Sequence, residues 1–351
     1  MLIQIPEYKN ELKRIIGMHL PYEKLQEKKI LIAGASGMIG SAIVDTLMLL
    51  AEEMNMEIYA LGRNKLKLEK RFTSYLKKDY FHIWEHNIEN PISYGEKMDY
   101  IIHAASDANP IAYATHPVEV MKANFFGMVN LLEYGRNVGV QRVLYISSGE
   151  MYGKTDSKAN EFDEDYVGYV DYSDSRSCYP SIKRATEVLC QSYIKEYNMD
   201  IVIVRPCHIY GPTMTESDSR AVSAFLRNAV NGEDIVLKSD GSNRRSMCYV
   251  LDTVTAILTI LLCGRNGQAY NISGEDEDIS ILELAEIISK LAGCKVVFSI
   301  PDEVEKAGFN RVEKAALNSN KIKEIGWKNQ TTIYDGVKLT LQILKKELGR
   351  E

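Results

Sequence analysis

No two of the six cysteines (Cys178, Cys190, Cys207, Cys248, Cys263 and Cys294) stand in CxxC spacing. Neither a zinc site nor a disulfide framework is indicated, no metal is expected, and the pattern suits a reducing compartment. Long apolar runs are missing as well: no stretch approaches the ~18 residues that read as a membrane span. The first residues, Met-Leu-Ile-Gln-Ile-Pro-Glu, show no basic segment followed by an apolar one, so no secretory leader is expected and the expected location is the cytoplasm. Positive charge is in short supply, with 42 Lys and Arg against 48 Asp and Glu and a net charge of −6. That balance excludes broad attraction to nucleic acid or anionic lipid and leaves room for a local basic pocket that takes a phosphorylated ligand. Internal repeats and low-complexity segments are absent.

What is present is an ordinary balance for a globular protein, 45% hydrophobic and 26% charged over 351 residues. This length suits one large or two modest domains with a sizeable core. Residues 1–28 are polar with a helical period around Leu12, Ile15 and Ile16, which predicts an extension packed on the domain. From Lys29 the pattern changes. Ile30–Ala33 is a short unbroken apolar run, as in a strand buried on both faces, followed by a glycine-rich turn and a predicted helix over 41–54. Further strands are predicted at 57–61, 81–84, 100–103, 142–147 and 200–205, with helices at 118–137 and 181–197. This alternation predicts an α/β fold with a Rossmann-type doubly wound parallel sheet. After Arg205 the rhythm loosens around Pro206, Gly211 and Pro212. Residues 221–231 read as helix, 234–238 as extended and 241–247 as polar. Residues 253–262 read as a helix returning to the first domain, and two more helices are predicted near 280–292 and 332–348. The expected organisation is an N-terminal extension at 1–28, a dinucleotide-binding domain at 29–205 plus about 248–270, and a smaller discontinuous substrate domain at 206–247 plus 271–351.

The turn Gly34-Ala35-Ser36-Gly37-Met38-Ile39-Gly40 lies between the first strand and the first long helix. One glycine permits a sharp turn, another lets a pyrophosphate approach the amides, and a third allows close helix–strand packing. The helix N-terminus adds free N–H groups and a favourable dipole. An ordinary glycine-rich loop is the bland alternative. An acid about 20 residues on usually holds the ribose 2′-hydroxyl. Here the second strand ends Ala60-Leu61-Gly62-Arg63-Asn64, so Arg63 could meet a 2′-phosphate and NADP stays open beside NAD; otherwise Arg63 is solvated or stacks on adenine.

Tyr179 and Lys183, four apart at the start of a predicted helix, share one face. A phenol of ordinary pKa near 10 is a poor base at neutral pH. A neighbouring ammonium and an oxidised nicotinamide favour its phenolate, which then takes the proton of a substrate alcohol as hydride leaves the carbon. The spacing alone says little in a chain with 21 tyrosines; its weight comes from following a predicted strand and Ser147-Ser148-Gly149-Glu150-Met151-Tyr152-Gly153. A non-catalytic dinucleotide sensor would have no use for Ser148, Tyr179 and Lys183 together.

The GxxGxxG spacing resembles the extended branch of the short-chain dehydrogenase/reductase superfamily, and the resemblance covers most of the chain. Ser147–Gly153 resembles that family's SS-x-x-x-YG, which implies that Ser148 hydrogen-bonds the substrate hydroxyl. His103-Ala104-Ala105-Ser106 resembles the loop beside the dinucleotide. Asn124 lies in Asn-Phe-Phe-Gly-Met-Val-Asn-Leu-Leu-Glu, similar to N-x-x-G-T-x-N-L-L-E, and Arg205–Pro212 is similar to R-x-x-N-x-Y-G-P. Cofactor contacts are thereby implied at the glycine turn, including Ser36, Met38 and Ile39, and at Asn87, Ile88, Ala104, Ala105 and Ser106. The same resemblance implies contacts at Asn124, Ser147, Tyr179, Lys183 and Pro206. It also implies NAD as cofactor, a nucleotide sugar as substrate, and a homodimer through the helices at about 118–137 and 181–197.

Three positions depart from the family pattern: Ile182 replaces a serine or threonine, His208 an asparagine, and Asn87 an aspartate. His208 is either a substrate contact or a hydrogen-bonded loop residue. Oxidation at sugar C4 gives a ketone from which epimerisation, dehydration, decarboxylation or reduction can follow. The resembling dehydratases place Asp-Glu before the tyrosine matched by Tyr152; here Gly149 removes the Asp and Glu150 keeps the Glu, as in UDP-glucuronate decarboxylases. Asp240–Val250 and Asp218–Phe225 also resemble the latter, so that Arg245 or Arg220 would hold a carboxylate or diphosphate through a paired fork. Decarboxylation of a UDP-hexuronate is the expected reaction, with 4-epimerase, 4,6-dehydratase and 4-keto reductase as alternatives.

Overall fold

β-Branched and leucine residues without polar alternation produce the central strands of this computed structural model, which describes residues 1–350 apart from 19, 94, 155–160, 275–277 and 304–313. β1 (Lys29–Ala33), β2 (Glu57–Gly62), β3 (Phe81–Glu85), β4 (Tyr100–His103), β5 (Arg142–Ile146) and β6 (Ile201–Pro206) form a parallel sheet in the order β3-β2-β1-β4-β5-β6. A later strand, β10 (Ala269–Ile272), extends it beside β6 with Ala269 opposite Ile203. The sheet reverses direction of growth between β1 and β4, and in such sheets ligands bind beyond the carboxyl ends of the strands at that crevice. β1, β4, β5 and β6 are buried along nearly their whole length, because helices cover both faces.

Those helices are α2 (Met38–Leu50), α3 (Lys65–Arg71), α4 (Pro110–Thr115), α5 (Pro117–Val138), α6 (Cys178–Tyr197) and α8 (Val250–Cys263). α8 is apolar nearly all round and buried from Val250 to Leu262, as a helix packed on every side must be. α2 starts at Met38, three residues ahead of its expected start, because Gly37 takes an extended conformation and serves as N-cap; it ends at Leu50, four residues before the expected end. The extension at 1–28 contains α1 (Pro6–Ile16), which buries Tyr8, Leu12 and Ile15. Tyr8 Oη donates to the buried Asp45 of α2 at 2.8 Å, and Arg71 pairs with the same carboxylate.

Residues 241–247, read from the sequence as a polar stretch, contribute to a strand, β9 (Arg244–Tyr249). It pairs with β7 (His208–Tyr210), β11 (Asp278–Ser280) and β13 (Lys314–Ala315). Its polarity hid it: Arg245 and Ser246 are buried in this small sheet, where their heads are not sorted into a solvent face. β8 (Ile235–Leu237) pairs with β12 (Val296–Phe298), and α7 (Ala221–Asn231), α9 (Ile281–Ala292) and a C-terminal helix (Ile333–Glu347) pack around these strands. No helix among the described residues is long and apolar enough to cross a membrane.

Candidate active site

The turn after β1 is dictated by backbone geometry. Gly34 has φ +83°, and a Cβ there would lie 2.5 Å from the Ala105 backbone; a Cβ on Gly40 would lie 2.3 Å from the Gly34 carbonyl oxygen. Packing therefore requires both glycines. Gly37 differs, since its Cβ would meet only the Gly34 oxygen at 3.3 Å, and that open side is where a ligand can approach. α2 carries no capping side chain and no acid in its first turn, so its leading amides, those of Met38 and Ile39 among them, keep their affinity for an anion.

Around this turn, buried polar atoms stand without protein partners among the described residues: Oγ of Ser106, Oγ of Ser147 and Oδ1 of Asn124. Asn124 uses its amide N–H on the Val120 carbonyl at 2.8 Å. Orphaned polar atoms beside an anion-binding turn at the sheet's reversal fit a bound dinucleotide. Ala104, Ala105 and Ser106 follow β4 directly, and Pro206 closes β6. At the far end of the crevice Arg63 is exposed just past β2, its charge acting on Asp107. The exposed Asn87 accepts the Glu89 N–H in its own turn at 3.2 Å, while Ile88 is buried with its carbonyl bonded by Asn130.

Tyr179 and Lys183 are both buried on one face of α6. Lys183 Nζ donates to the Ile146 carbonyl at 2.9 Å and lies 5.5 Å from the centre of the Tyr179 ring. Burial pulls its pKa down to about 7, with the Glu187 charge as the main counterweight. Tyr179 is pushed up to about 12 by burial first and by the Glu150 charge second. The hydroxyls of Ser148, Tyr113 and Ser106 work in the opposite direction. The protein by itself thus holds the phenol neutral, and a cation close to the phenol must supply the remaining pull toward phenolate. Ser148 Oγ accepts the Glu150 N–H at 3.1 Å and so fixes the turn that carries both residues.

Lys183 makes a prediction about stability. The unfolded ammonium has a pKa near 10.5 and the folded one about 7, so between these values the unfolded chain holds a proton that the folded chain lacks. Stability then rises with pH across that window. In cofactor-free protein, Lys183→Met is expected to be more stable than wild type near pH 7, less about 1 kcal/mol for the lost bond to the Ile146 carbonyl. The advantage should shrink toward pH 10, as followed by urea unfolding at each pH.

Glu150 and Arg220 interact electrostatically with Tyr179, and Arg245 and His208 with these two. Arg220 forks onto Asp218 through Nε at 3.0 Å and Nη2 at 2.6 Å, which leaves less of its guanidinium for a ligand than the sequence implies. Arg245 donates from Nη1 to the Arg244 carbonyl at 2.7 Å, and the Glu150 and Asp278 charges act on it. His208 is driven down to about 3 by burial and then by the cations Arg245 and Arg220, so it is a neutral imidazole. Two side chains escaped the sequence reading. Tyr113, on the short α4, stacks on Tyr179 at 4.6 Å and 18°, and Arg176 pairs with Glu150 at 3.2 Å. The position of Arg176, three residues before Tyr179, was the available signal; nothing in the sequence marked Tyr113.

Buried polar contacts hold the Ser148–Tyr152 turn. Arg184 donates to the Met151 and Tyr152 carbonyls at 2.5 and 2.9 Å. Arg205 forks onto Glu187 at 3.0 and 2.6 Å and donates to Tyr152 Oη at 2.8 Å, which in turn donates to Asn271 Oδ1 at 2.7 Å. Gly149 has a steric reason: a Cβ there would lie 2.9 Å from Leu317 Cδ1 and 3.3 Å from the Pro206 carbonyl oxygen. A side chain at this place would require the flexible end of Leu317 to shift.

A model of the "NAD dependent epimerase/dehydratase family" matches residues 30–273. The chain is 32% identical over 329 residues to UDP-glucuronic acid decarboxylase 6 of Arabidopsis thaliana, covering 92% of this chain and 90% of that protein. It is 28% identical over 328 residues to UDP-glucuronic acid decarboxylase 1 of Xenopus tropicalis, covering 92% and 74%. A crystal structure of UDP-glucose 4-epimerase with UDP-glucose from Thermotoga maritima superposes with a TM-score of 0.79 at 24% identity, over 91% of this chain and 99% of that one. The last likeness supports the doubly wound fold expected from the sequence.

Proposed function

Because the chain belongs to the NAD dependent epimerase/dehydratase family, we propose that it is an NAD-dependent nucleotide-sugar enzyme that decarboxylates a UDP-hexuronate through a 4-keto intermediate. One observation carries the choice of reaction: beside Tyr179 the Glu150 carboxylate acts on the arginine Arg245, while the neighbouring position, where the resembling dehydratases carry an aspartate, is Gly149. The relatives at about 30% identity named as UDP-glucuronic acid decarboxylases support the same choice.

In this reading the glycine turn and the leading amides of α2 hold the pyrophosphate, and Ser106, Ser147 and Asn124 offer their unpartnered oxygens to the remainder of the cofactor. NAD, when bound, supplies the hydride acceptor at sugar C4 and the donor for the later reduction. Tyr179 takes the C4 hydroxyl proton, Ser148 orients that hydroxyl, and Lys183 holds the phenolate and a ribose hydroxyl with the protons not used on Ile146. The C4 ketone makes the C6 carboxylate a β-keto acid. Carbon dioxide leaves with the C5–C6 electron pair retained by the sugar as an enolate, whose oxygen faces the Tyr179 and Ser148 hydroxyls. Arg245, and Arg220 through the guanidinium edge turned from Asp218, hold the carboxylate or the diphosphate, and the neutral His208 lines the sugar pocket. Reprotonation at C5 and reduction at C4 give a UDP-pentose.

The test is product analysis. Purified enzyme with UDP-glucuronate should yield carbon dioxide and a UDP-pentose, with NAD and NADP compared in parallel because Arg63 stands where an acid would contact the ribose 2′-hydroxyl. Interconversion of UDP-hexoses without turnover of UDP-glucuronate would make the chain an epimerase.

A reducing, cytoplasmic setting, expected from the cysteine spacing, belongs to this reading. A homodimer is part of the same reading. α5 packs on α6, with Arg136 over the Tyr197 ring at 4.9 Å. The pair leaves Val118, Met121, Phe126 and Val188 exposed, apolar area that a second copy would cover. Val188→Glu, at a position 66% exposed in the single chain, is expected to convert a dimer to monomer in sedimentation velocity; a chain that is monomeric beforehand contradicts the dimer.

A further inference from the structure

Four side chains form one column through the candidate site. The Arg176 guanidinium carbon lies 4.6 Å from the centre of the Tyr113 ring. Tyr113 stacks on Tyr179 at 4.6 Å, and Lys183 lies 5.5 Å from the far ring. Arg176 also donates from Nη2 to Glu150 Oε2 at 3.2 Å. It is anchored from behind, since its own backbone N–H is bonded to Asp174 Oδ1 at 2.9 Å. Arg176 is therefore the one side chain in the column that touches both the carboxylate and the stack.

That placement addresses an electrostatic conflict. If Tyr179 is to become a phenolate, a second anion forms in a buried site that already contains the Glu150 carboxylate, and like charges at close range disfavour each other's ionisation. The groups facing Tyr179 come from several elements: Tyr145 from β5, Ser148 and Glu150 from the turn after β5, Ser106 from the segment after β4, Tyr113 from α4, Lys183 from α6, and Arg220 from before α7. Lys183 gives up its proton readily because of its burial, and Arg220 is engaged by Asp218. A guanidinium, in contrast, stays charged at every working pH.

We propose that Arg176 is a positioning residue that ties the Glu150 carboxylate to the Tyr113–Tyr179 stack and offsets its charge, so that the Tyr179 phenol can ionise beside it. This rests on the reading of Tyr179 as the base. Arg176 acts through Glu150 and Tyr113 and is not placed on the substrate.

The test reads the phenol itself. 3-Fluorotyrosine is incorporated at position 179 of the full chain, loaded with NAD, and titrated by fluorine NMR without substrate. Removing the charge with Arg176→Met should raise the titration midpoint by about one unit or more, and Arg176→Lys should hold it near wild type. Glu150→Gln should lower it, and adding Arg176→Met to Glu150→Gln should then have little further effect, because no carboxylate remains to offset. Arg176→Gln serves in place of the methionine variant if the latter does not fold. A midpoint unchanged by loss of the charge, or an Arg176→Met shift that persists in full on the Glu150→Gln background, overturns the proposal. No turnover is needed for this titration. Failure of UDP-glucuronate decarboxylation would therefore refute the assigned reaction without touching this result, and a shift in midpoint would stand whichever sugar is the substrate.

Discussion

Replacing Tyr179 by phenylalanine is expected to lower kcat on UDP-glucuronate by a factor on the order of 10² to 10⁴, the range supplied by a positioned proton acceptor. Affinity for NAD should stay close to wild type. The reasoning is local. The change removes one oxygen and leaves the ring, so the stack on Tyr113 and the contact with Lys183 survive. What disappears is the only oxygen on that ring that can take the C4 proton. Cofactor binding in this account depends on the glycine turn and on Ser106, Ser147, Asn124 and Lys183, of which only Ser106 has the lost hydroxyl as a neighbour. Isothermal titration with NAD and a turnover assay on the same preparation separate the two effects. A protein that only sensed the dinucleotide would show no change in either.

The largest expected loss of stability comes from Glu187→Ala. Glu187 and Arg205 are 7% and 8% exposed, and the carboxylate receives both arms of the Arg205 fork. Removing the acid leaves a buried guanidinium without the carboxylate that holds two of its arms, with Nη1 still on Tyr152 Oη and the Glu164 carbonyl; breaking a buried pair in this way typically costs about 3–5 kcal/mol. The damage should spread to the site, because Arg205 also donates to Tyr152 Oη and Tyr152 belongs to the turn that carries Ser148 and Glu150. Urea unfolding would show the loss. The double change Glu187→Leu with Arg205→Met, which leaves no charge unpaired, should recover much of it; a Glu187→Ala protein within about 1 kcal/mol of wild type would contradict this account of the pair.

Much of this is legible in the sequence, and the reason is physical. β1, β4, β5 and β6 are buried on both faces, so their residues form unbroken apolar runs that stand out against the helices. The glycine turn was legible because Gly34 and Gly40 answer to hard steric limits that only glycine meets. The spacing of Ser148, Tyr179 and Lys183 after a strand is legible too, and the structure buries Tyr179 and Lys183 on one face of α6. β9 is not legible, because a strand in a small polar sheet shows no alternation; its Arg244-Arg245-Ser246 reads as a loop until β7, β11 and β13 are placed around it. Tyr113 was invisible for another reason: it belongs to a six-residue helix, too short to register as a period, and its significance lies wholly in a contact made 66 residues away along the chain with Tyr179. Arg220 shows the opposite limit, since sequence shows an arginine but not the Asp218 carboxylate that occupies most of its fork.

The fate of the sugar's C6 carbon tests the central claim most directly. UDP-glucuronate labelled with carbon-13 at C6 is incubated with the NAD-loaded enzyme and followed by NMR. The account requires the label to leave as carbon dioxide and bicarbonate while an unlabelled UDP-pentose accumulates, and requires Tyr179→Phe to slow both by the same factor, on the order of 10² to 10⁴. Label that remains in the carboxylate of a hexuronate, epimerised or unchanged, would contradict it.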